Sequence, residues 1–293
     1  MALALAVAVA VATAAAASAV ATVAILAAVN VESLGFRTDL MIRALEGSEI
    51  TDRGDYVAVR TAANPRFYWG NFLLLPAEAL SGPPDRWLAL FAEEFPEAGH
   101  LALGFDVADG HDADLGQFEA AGLSAQRDTV LMATAAGEPP RPVTSAVFRP
   151  LASDRDWEQA VSLQFTLDLD EGGEVEEDFV RARFAARREI VSAGHGAWLG
   201  AFRDGELVAQ LGTFSDGTGL ARYQDVSTHP GARRQGLASG LVCHAAQYAI
   251  DELGAKTLVI IADPDEAAIR VYRSVGFADH QTQVGLQRAP VRD

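Results

Sequence analysis

The sequence predicts an α/β protein built from two units. Three observations lead there. Strand-like and helix-like segments alternate through most of the chain, the pattern of sheets covered by helices. A stretch at 135–142 holding Pro139, Pro140 and Pro142 disfavours both element types and separates two such series. A length of 293 residues exceeds one average domain, and 49 % apolar residues supply material for more than one core.

In the first series, 32–134, the runs from Asp39 to Leu45 and from Asp55 to Arg60 read as short strands, with Asp52-Arg53-Gly54 as a turn. Phe67 to Leu75 is a strand. Pro84 opens a helix whose Trp87, Leu88, Phe91 and Phe95 recur at helical spacing. His100 to Asp106 is a strand, Asp114 to Gly122 a short helix ending at glycine, and Asp128 to Ala133 a last strand.

The second series, 143–290, restarts with a strand to Pro150. Ser153 and Asp156 form a capping-box pattern opening a helix to about Leu167. Seven carboxylates crowd 168–178, and a second helix runs from Phe179 to Ala193. Asp204-Gly205 between apolar runs signals a hairpin, and Ser215 to Gly219 a second turn before a strand from Leu220 to Thr228. A helix (237–253), a strand (257–262), a helix (265–275) and a strand (277–287) complete the chain.

Composition narrows the function. With 23 basic and 40 acidic residues the net charge is −17, which disfavours unassisted binding to nucleic acid or anionic membranes. One cysteine, Cys243, excludes an internal disulfide framework and a cysteine-rich zinc site. Inside the apolar pattern of the 237–253 helix it reads as a core thiol. Met1 to Val31 carries no charge and is dominated by alanine. Its length suits a membrane span, but it lacks a basic n-region or basic flank. Three readings stand: an extension foreign to the native protein, a signal or anchor, or a packed helix.

The stretch from Val226 to Ser239, Val-Ser-Thr-His-Pro-Gly-Ala-Arg-Arg-Gln-Gly-Leu-Ala-Ser, carries the chemistry. It is a strand, a proline, a basic glycine-containing loop and a helix start. Successive backbone N–H groups at a helix N-terminus suit a phosphate or pyrophosphate. Arg233 and Arg234 reverse the sign of an acidic chain there, and Gly236 permits close approach. Alone, such a turn is also an ordinary strand-to-helix connection. The later run from Asp265 to Phe277 places Ala268 and Tyr272 on one helix face and stops at Gly276.

These two segments together resemble the GNAT acyltransferase superfamily. Its first motif is apolar-x-Pro-x-x-Arg-x-x-Gly-x-Gly/Ala; here Thr228 takes the apolar slot, followed by Pro230, Arg233, Gly236 and Ala238. Its second is Asn-x-x-Ala-x-x-x-Tyr-x-x-x-Gly-Phe; here Asp265 takes the Asn slot, followed by Ala268, Tyr272, Gly276 and Phe277. The resemblance covers about half the chain. It implies a mixed central sheet flanked by helices over 143–290 and acetyl-CoA as co-substrate, with no metal. Backbone of Val226, Ser227 and Thr228 would pair with the pantetheine arm. Arg233, Arg234, Gln235, Gly236, Leu237, Ala238 and Ser239 would hold the pyrophosphate. Tyr272 would protonate the departing thiolate. Asp225 is the candidate base, with a structural carboxylate as its alternative. Asp265, in the slot of the motif's amide, would contact the cofactor and cap its helix, although as a carboxylate it only accepts hydrogen bonds.

The implied activity is N-acetylation of a primary amine by direct attack in a ternary complex, in the cytoplasm. The acceptor would be a small molecule or peptide. It would be cationic if the 168–178 loop steers it, in which case neutralising Glu174, Glu176 and Glu177 raises its Michaelis constant. A non-catalytic acyl-CoA sensor is the alternative, and a membrane-tethered enzyme a third if 1–31 is an anchor. Residues 32–134 lack the phosphate loop, but Phe118 to Leu123 echoes the end of the second motif. They read as a smaller, degenerate GNAT-like unit or as a plain α/β cap.

Overall fold

The computed structural model describes residues 30–172 and 175–289. Most of the uncharged N-terminal run, 1–29, lies outside them. Ser33 starts the first helix, α1 (Leu34–Leu45), its hydroxyl accepting from the Phe36 N–H at 3.3 Å. Gly47, at φ 80°, follows the helix end. This corrects the strand expected over 39–45. A short apolar run bounded by a cap and a glycine fits either period, and α1 is apolar on two sides: Phe36, Leu40 and Ala44 in one cluster, Met41 and Ile42 in another.

The elements then run β1 (Glu49–Asp52), β2 (Val57–Arg60), β3 (Phe72–Pro76), α2 (Asp85–Glu94), β4 (Leu101–Asp106), α3 (Gly116–Ala120) and β5 (Ser124–Ala133). After the proline stretch come β6 (Val147–Pro150), α4 (Asp154–Asp170), α5 (Glu177–Ser192), β7 (Gly196–Arg203), β8 (Glu206–Phe214) and β9 (Leu220–Thr228). The chain closes with α6 (Leu237–Asp251), β10 (Thr257–Ala262), α7 (Ala268–Ser274) and β11 (Ala278–Arg288). The capping box forms as expected: Ser153 accepts from the Asp156 N–H at 3.2 Å. Asp156 also takes a forked pair of 2.8 Å bonds from Arg149.

Among the described residues eleven strands form one mixed sheet, ordered β1-β2-β3-β4-β11-β5-β10-β9-β8-β7-β6. Each half contains one parallel pair, β3 with β4 and β9 with β10. Each also ends in a short helix, then a strand paired across the junction. β5 lies antiparallel to β10 on one side and to β11 on the other, while β11 lies antiparallel to β4. The proline stretch therefore divides the sequence while the sheet continues across it. Helices α6 and α7 pack with Leu131, Leu258 and Ile260 on one face; α4 and α5 pack with Trp198 and Phe214 on the other.

Candidate functional site

The parallel pairing of β9 and β10 stops early. Leu220, Ala221 and Arg222 pair with Thr257, Leu258 and Val259, and no later residue does, although β9 runs on to Thr228 and β10 to Ala262. β8 stays with β9, but its register slips between Gln210 and Gly212. Asp225 lies in that slip at φ 52°, a bulge that bends a strand away from its neighbour. Backbone groups of Val226, Ser227 and Thr228 therefore face an open wedge. The Ser227 hydroxyl is buried without a hydrogen-bond partner among the described residues, and a polar ligand chain along this edge would satisfy it.

β9 delivers the chain to a turn at Pro230–Ala232, held by the His229 Nδ1 accepting from the Gly231 N–H at 3.1 Å. Arg234 and Gly236 then adopt left-handed conformations, at φ 63° and 81°, before α6 begins. Among the described residues, no acceptor bonds the backbone N–H groups from Arg234 to Ser239. These donors converge at the N-terminus of a 15-residue helix, the arrangement that receives phosphate oxygens. Arg234 is exposed with no carboxylate partner among the described residues, whereas Arg233 is bonded to Asp170 at 2.8 Å. Gln235 accepts from Arg203 at 2.5 Å, and the Ser239 hydroxyl donates to the Gly236 carbonyl at 2.9 Å. The proline stretch passes this loop: a Cβ on Gly236 would stand 3.2 Å from the Arg141 carbonyl.

Tyr272 projects from α7 into the cluster shared with α6 and is 5 % exposed. Its hydroxyl has no hydrogen-bond partner among the described residues. Burial, and then Glu266, raise its pKa well above that of a free phenol, so it carries its proton at neutral pH. Asp265 is exposed and does not cap α7, whose N-cap is Ala267. Its N–H instead donates to Asp263 Oδ1 at 2.8 Å. That corrects the helix start at 265: an Asx turn occupies the motif's first position. Cys243 is half-buried, donates to the Gly137 carbonyl at 3.0 Å and has its pKa raised by burial, as befits a packed thiol.

Asp225 sits on the α5 side of the sheet. Burial pushes its pKa up, but Arg183, Arg187, Arg43 and Arg222 outweigh it and leave the net shift downward. Arg183 stands 3.8 Å from Oδ2. Asp225 thus lies in the field of an arginine cluster, whose Arg43 and Arg187 pair with Glu46 and whose Arg222 pairs with Asp39, and is a weak proton acceptor. No sequence motif marks that cluster, because its members lie far apart along the chain. The acidic loop is partly neutralised, with three of its seven carboxylates ion-paired among the described residues, Asp170 to Arg233 as above. Glu176 pairs with Arg66 at 3.2 Å and Glu177 with Arg181 at 2.8 Å; Glu174 lies outside the described residues. Beside it, Phe67, Tyr68, Trp69, His100 and Phe179 line a cavity of about 1020 Å³, remote in sequence from the phosphate loop and marked by no motif.

Residues 156–277 match the model of the Acetyltransferase (GNAT) family. No curated protein matches the chain. Among solved structures, a GCN5-related N-acetyltransferase from Kribbella flavida aligns at 17 % identity and TM-score 0.60, over 89 % of this chain and 97 % of its own. A conserved protein of unknown function from Staphylococcus epidermidis aligns at 12 % and 0.61, over 82 % and 93 %. A tandem GNAT protein from the clavulanic acid biosynthesis pathway aligns at 13 % and 0.51, over 88 % and 89 %. At these identities the likeness is one of fold. The matched segment, which holds the wedge, the N–H cradle and Tyr272, is a domain of the acetyltransferase (GNAT) family.

Proposed function

We propose that the protein is an N-acetyltransferase that moves an acetyl group from acetyl-CoA to a primary amine by direct attack in a ternary complex. The observation that carries this reading is the continuity of the open β9 edge, from Val226 to Thr228, with the unpaired N–H groups from Arg234 to Ser239. Together they offer one surface to an extended amide-containing arm and the pyrophosphate at its end. Acetyl-CoA supplies an activated thioester; the chain's contribution is largely to orient the two reactants. Tyr272, protonated and buried, is the acid for the departing sulfur. Among the described residues no group of metal-ligating side chains is found, and no step of this reading uses a metal.

Residues 32–134 fit a second, degenerate GNAT-like unit. Its parallel pair β3 and β4 corresponds to β9 and β10, and α3 and β5 to α7 and β11. Phe118 takes the place of Tyr272, and Gly122 and Gly276 both end their helices at positive φ. Between β3 and α2 lies a 3-10 turn, Ala77–Ser81, and Pro84 gives α2 no side-chain cap. That connection has none of the loop's arginines. We read the location as cytoplasmic; no described helix is long and apolar enough to cross a membrane.

Asp225's engagement with arginines favours a second reading, an acyl-CoA sensor without turnover. Thiol release from acetyl-CoA across a panel of small-molecule and peptide amines separates the two. Amine-dependent thiol release supports the enzyme; saturable acetyl-CoA binding with no release for any amine supports the sensor.

A further inference from the structure

The strand beside β10 comes from the other half of the chain, and it brings a carboxylate to the wedge. Thr129 of β5 is opposite Ala262, the last residue of β10, so Asp128 lies at the level where β9 and β10 have parted. Strand alternation puts it on the face of Val130, which packs with Leu34 of α1 and Val259. Leu131 faces the other way, into the cluster of α7 and Tyr272. Asp128 and Tyr272 are thus on opposite faces of the sheet, as an acceptor-side and a thioester-side group would be.

Asp128 has no hydrogen-bond or ion-pair partner among the described residues. The groups that face it are Asp39 of α1, Asp263 after β10 and Arg222 of β9. Arg222 is committed to Asp39 at 3.0 Å and to the Thr38 hydroxyl at 2.7 Å, and Asp263 accepts from the Asp265 N–H. Directly across from Asp128 on β11 is Gln283, 9 % exposed. Its Nε2 donates to Asp39 at 2.7 Å, and its Oε1 is buried with no donor. A half-buried free carboxylate, with the local arginine spent, is a site short of N–H donors and of positive charge. A primary ammonium provides three donors and one charge.

We propose that Asp128 receives the ammonium group of the acceptor and takes its proton before attack. This rests on the acetyltransferase reading above. The ammonium gives one proton to the Asp128 carboxylate, which passes it to water. The freed lone pair forms the N–C bond to the thioester carbonyl carbon. The C–S bond then breaks, sulfur takes the Tyr272 proton, and the second proton lost by nitrogen restores Tyr272. Burial, and then Asp39 and Asp263, push the Asp128 pKa up to about 6 against the opposing Arg222, which suits a base working near neutrality. The N-terminal half, having no cradle of its own, thereby supplies a reacting group to the C-terminal site.

The test is kcat/KM for an amine substrate from pH 5 to 8, with acetyl-CoA binding measured by calorimetry, in wild type, Asp128→Asn and Asp128→Glu. Wild type is expected to show an acid limb near pH 6. In Asp128→Asn that limb disappears and the rate falls by about 100-fold, the lower end for a lost base, while acetyl-CoA binds as before. Asp128→Glu keeps a limb at a shifted pH. A wild-type profile with no ionisation below pH 7, or Asp128→Asn activity within a fewfold of wild type, overturns the assignment of Asp128 alone. Should Asp128→Asn not bind acetyl-CoA, the wild-type and Asp128→Glu profiles decide. Wild type with no thiol release for any amine overturns the acetyltransferase reading and this one with it.

Discussion

Arg233 and Asp170 form an ion pair at 2.8 Å that ties the phosphate loop to the last residue of α4. Both side chains are well exposed. The pair therefore contributes little to stability, but it holds one of the loop's two arginines away from an incoming anion. Asp170→Asn is expected to tighten acetyl-CoA binding by about two- to fivefold, about the 0.4–1 kcal/mol upper range of an exposed pair. The gain should vanish in high salt. Titration calorimetry at two ionic strengths checks it; a weaker affinity in Asp170→Asn would show the pair organises the loop instead.

Gly236 combines φ 81° with a Cβ position 3.2 Å from the Arg141 carbonyl. Gly236→Ala is expected to cost about 1–2 kcal/mol for the left-handed residue and to displace the N–H groups beside it. The melting temperature should drop by a few degrees, and acetyl-CoA affinity by at least about tenfold, the 1.4 kcal/mol expected from one misdirected charge-assisted bond. Unchanged affinity at lowered stability would place the phosphates elsewhere.

β5 is hydrogen-bonded on both edges to strands from beyond the proline stretch. Removing 1–134 leaves β10 and β11 with a missing strand between them and exposes Leu131's partners Leu258 and Ile260. The fragment 143–293 expressed alone is expected to be insoluble or molten. Cleavage of the intact protein within 135–142 should instead leave two pieces that co-elute on size exclusion. A folded, monomeric 143–293 fragment with a sharp melting transition would contradict a structural role for β5 between β10 and β11.

Asp128 also carries a stability consequence. Its carboxyl titrates at about 6 in the folded chain, against the ordinary 3.8. Between those values the folded state holds a proton that the unfolded state releases, so stability falls as pH rises from about 4 to about 6 and stays low above. Asp128→Asn removes that penalty. At pH 7.5 it should be more stable than wild type by on the order of 2 kcal/mol, from about 1.36 kcal/mol for each pH unit separating the two values, reduced for solvent screening. At pH 3.5 the two should melt together. Thermal denaturation at both values checks the sign.

Much of the C-terminal half is legible in the sequence because its signals are local. The Ser153 cap, the Asp204-Gly205 hairpin and the loop from Thr228 to Ala238 each act over a few residues, and each forms where the sequence places it. The 39–45 run reads as a strand, and is not one, because α1 is buried on two sides and shows no single apolar stripe. The start of α7 differs from the expected 265 because Asp263, not the helix, takes the Asp265 N–H. Asp128 gives no sequence signal. Its chemistry depends on β5 lying next to β10, a pairing between residues on either side of the proline stretch. The arginines around Asp225 are hidden for the same reason: Arg43, Arg187 and Arg222 converge from α1, α5 and β9.

Acyl transfer at the wedge between β9 and β10, with Tyr272 as the acid, is tested most directly by comparing wild type and Tyr272→Phe. The quantities to measure are kcat of amine-dependent thiol release and the acetyl-CoA dissociation constant. Loss of the hydroxyl alone is expected to lower kcat by about 100-fold, as for a missing general acid, with the dissociation constant unchanged within about twofold. Full kcat in Tyr272→Phe, or no acetyl-CoA binding by wild type, would contradict it.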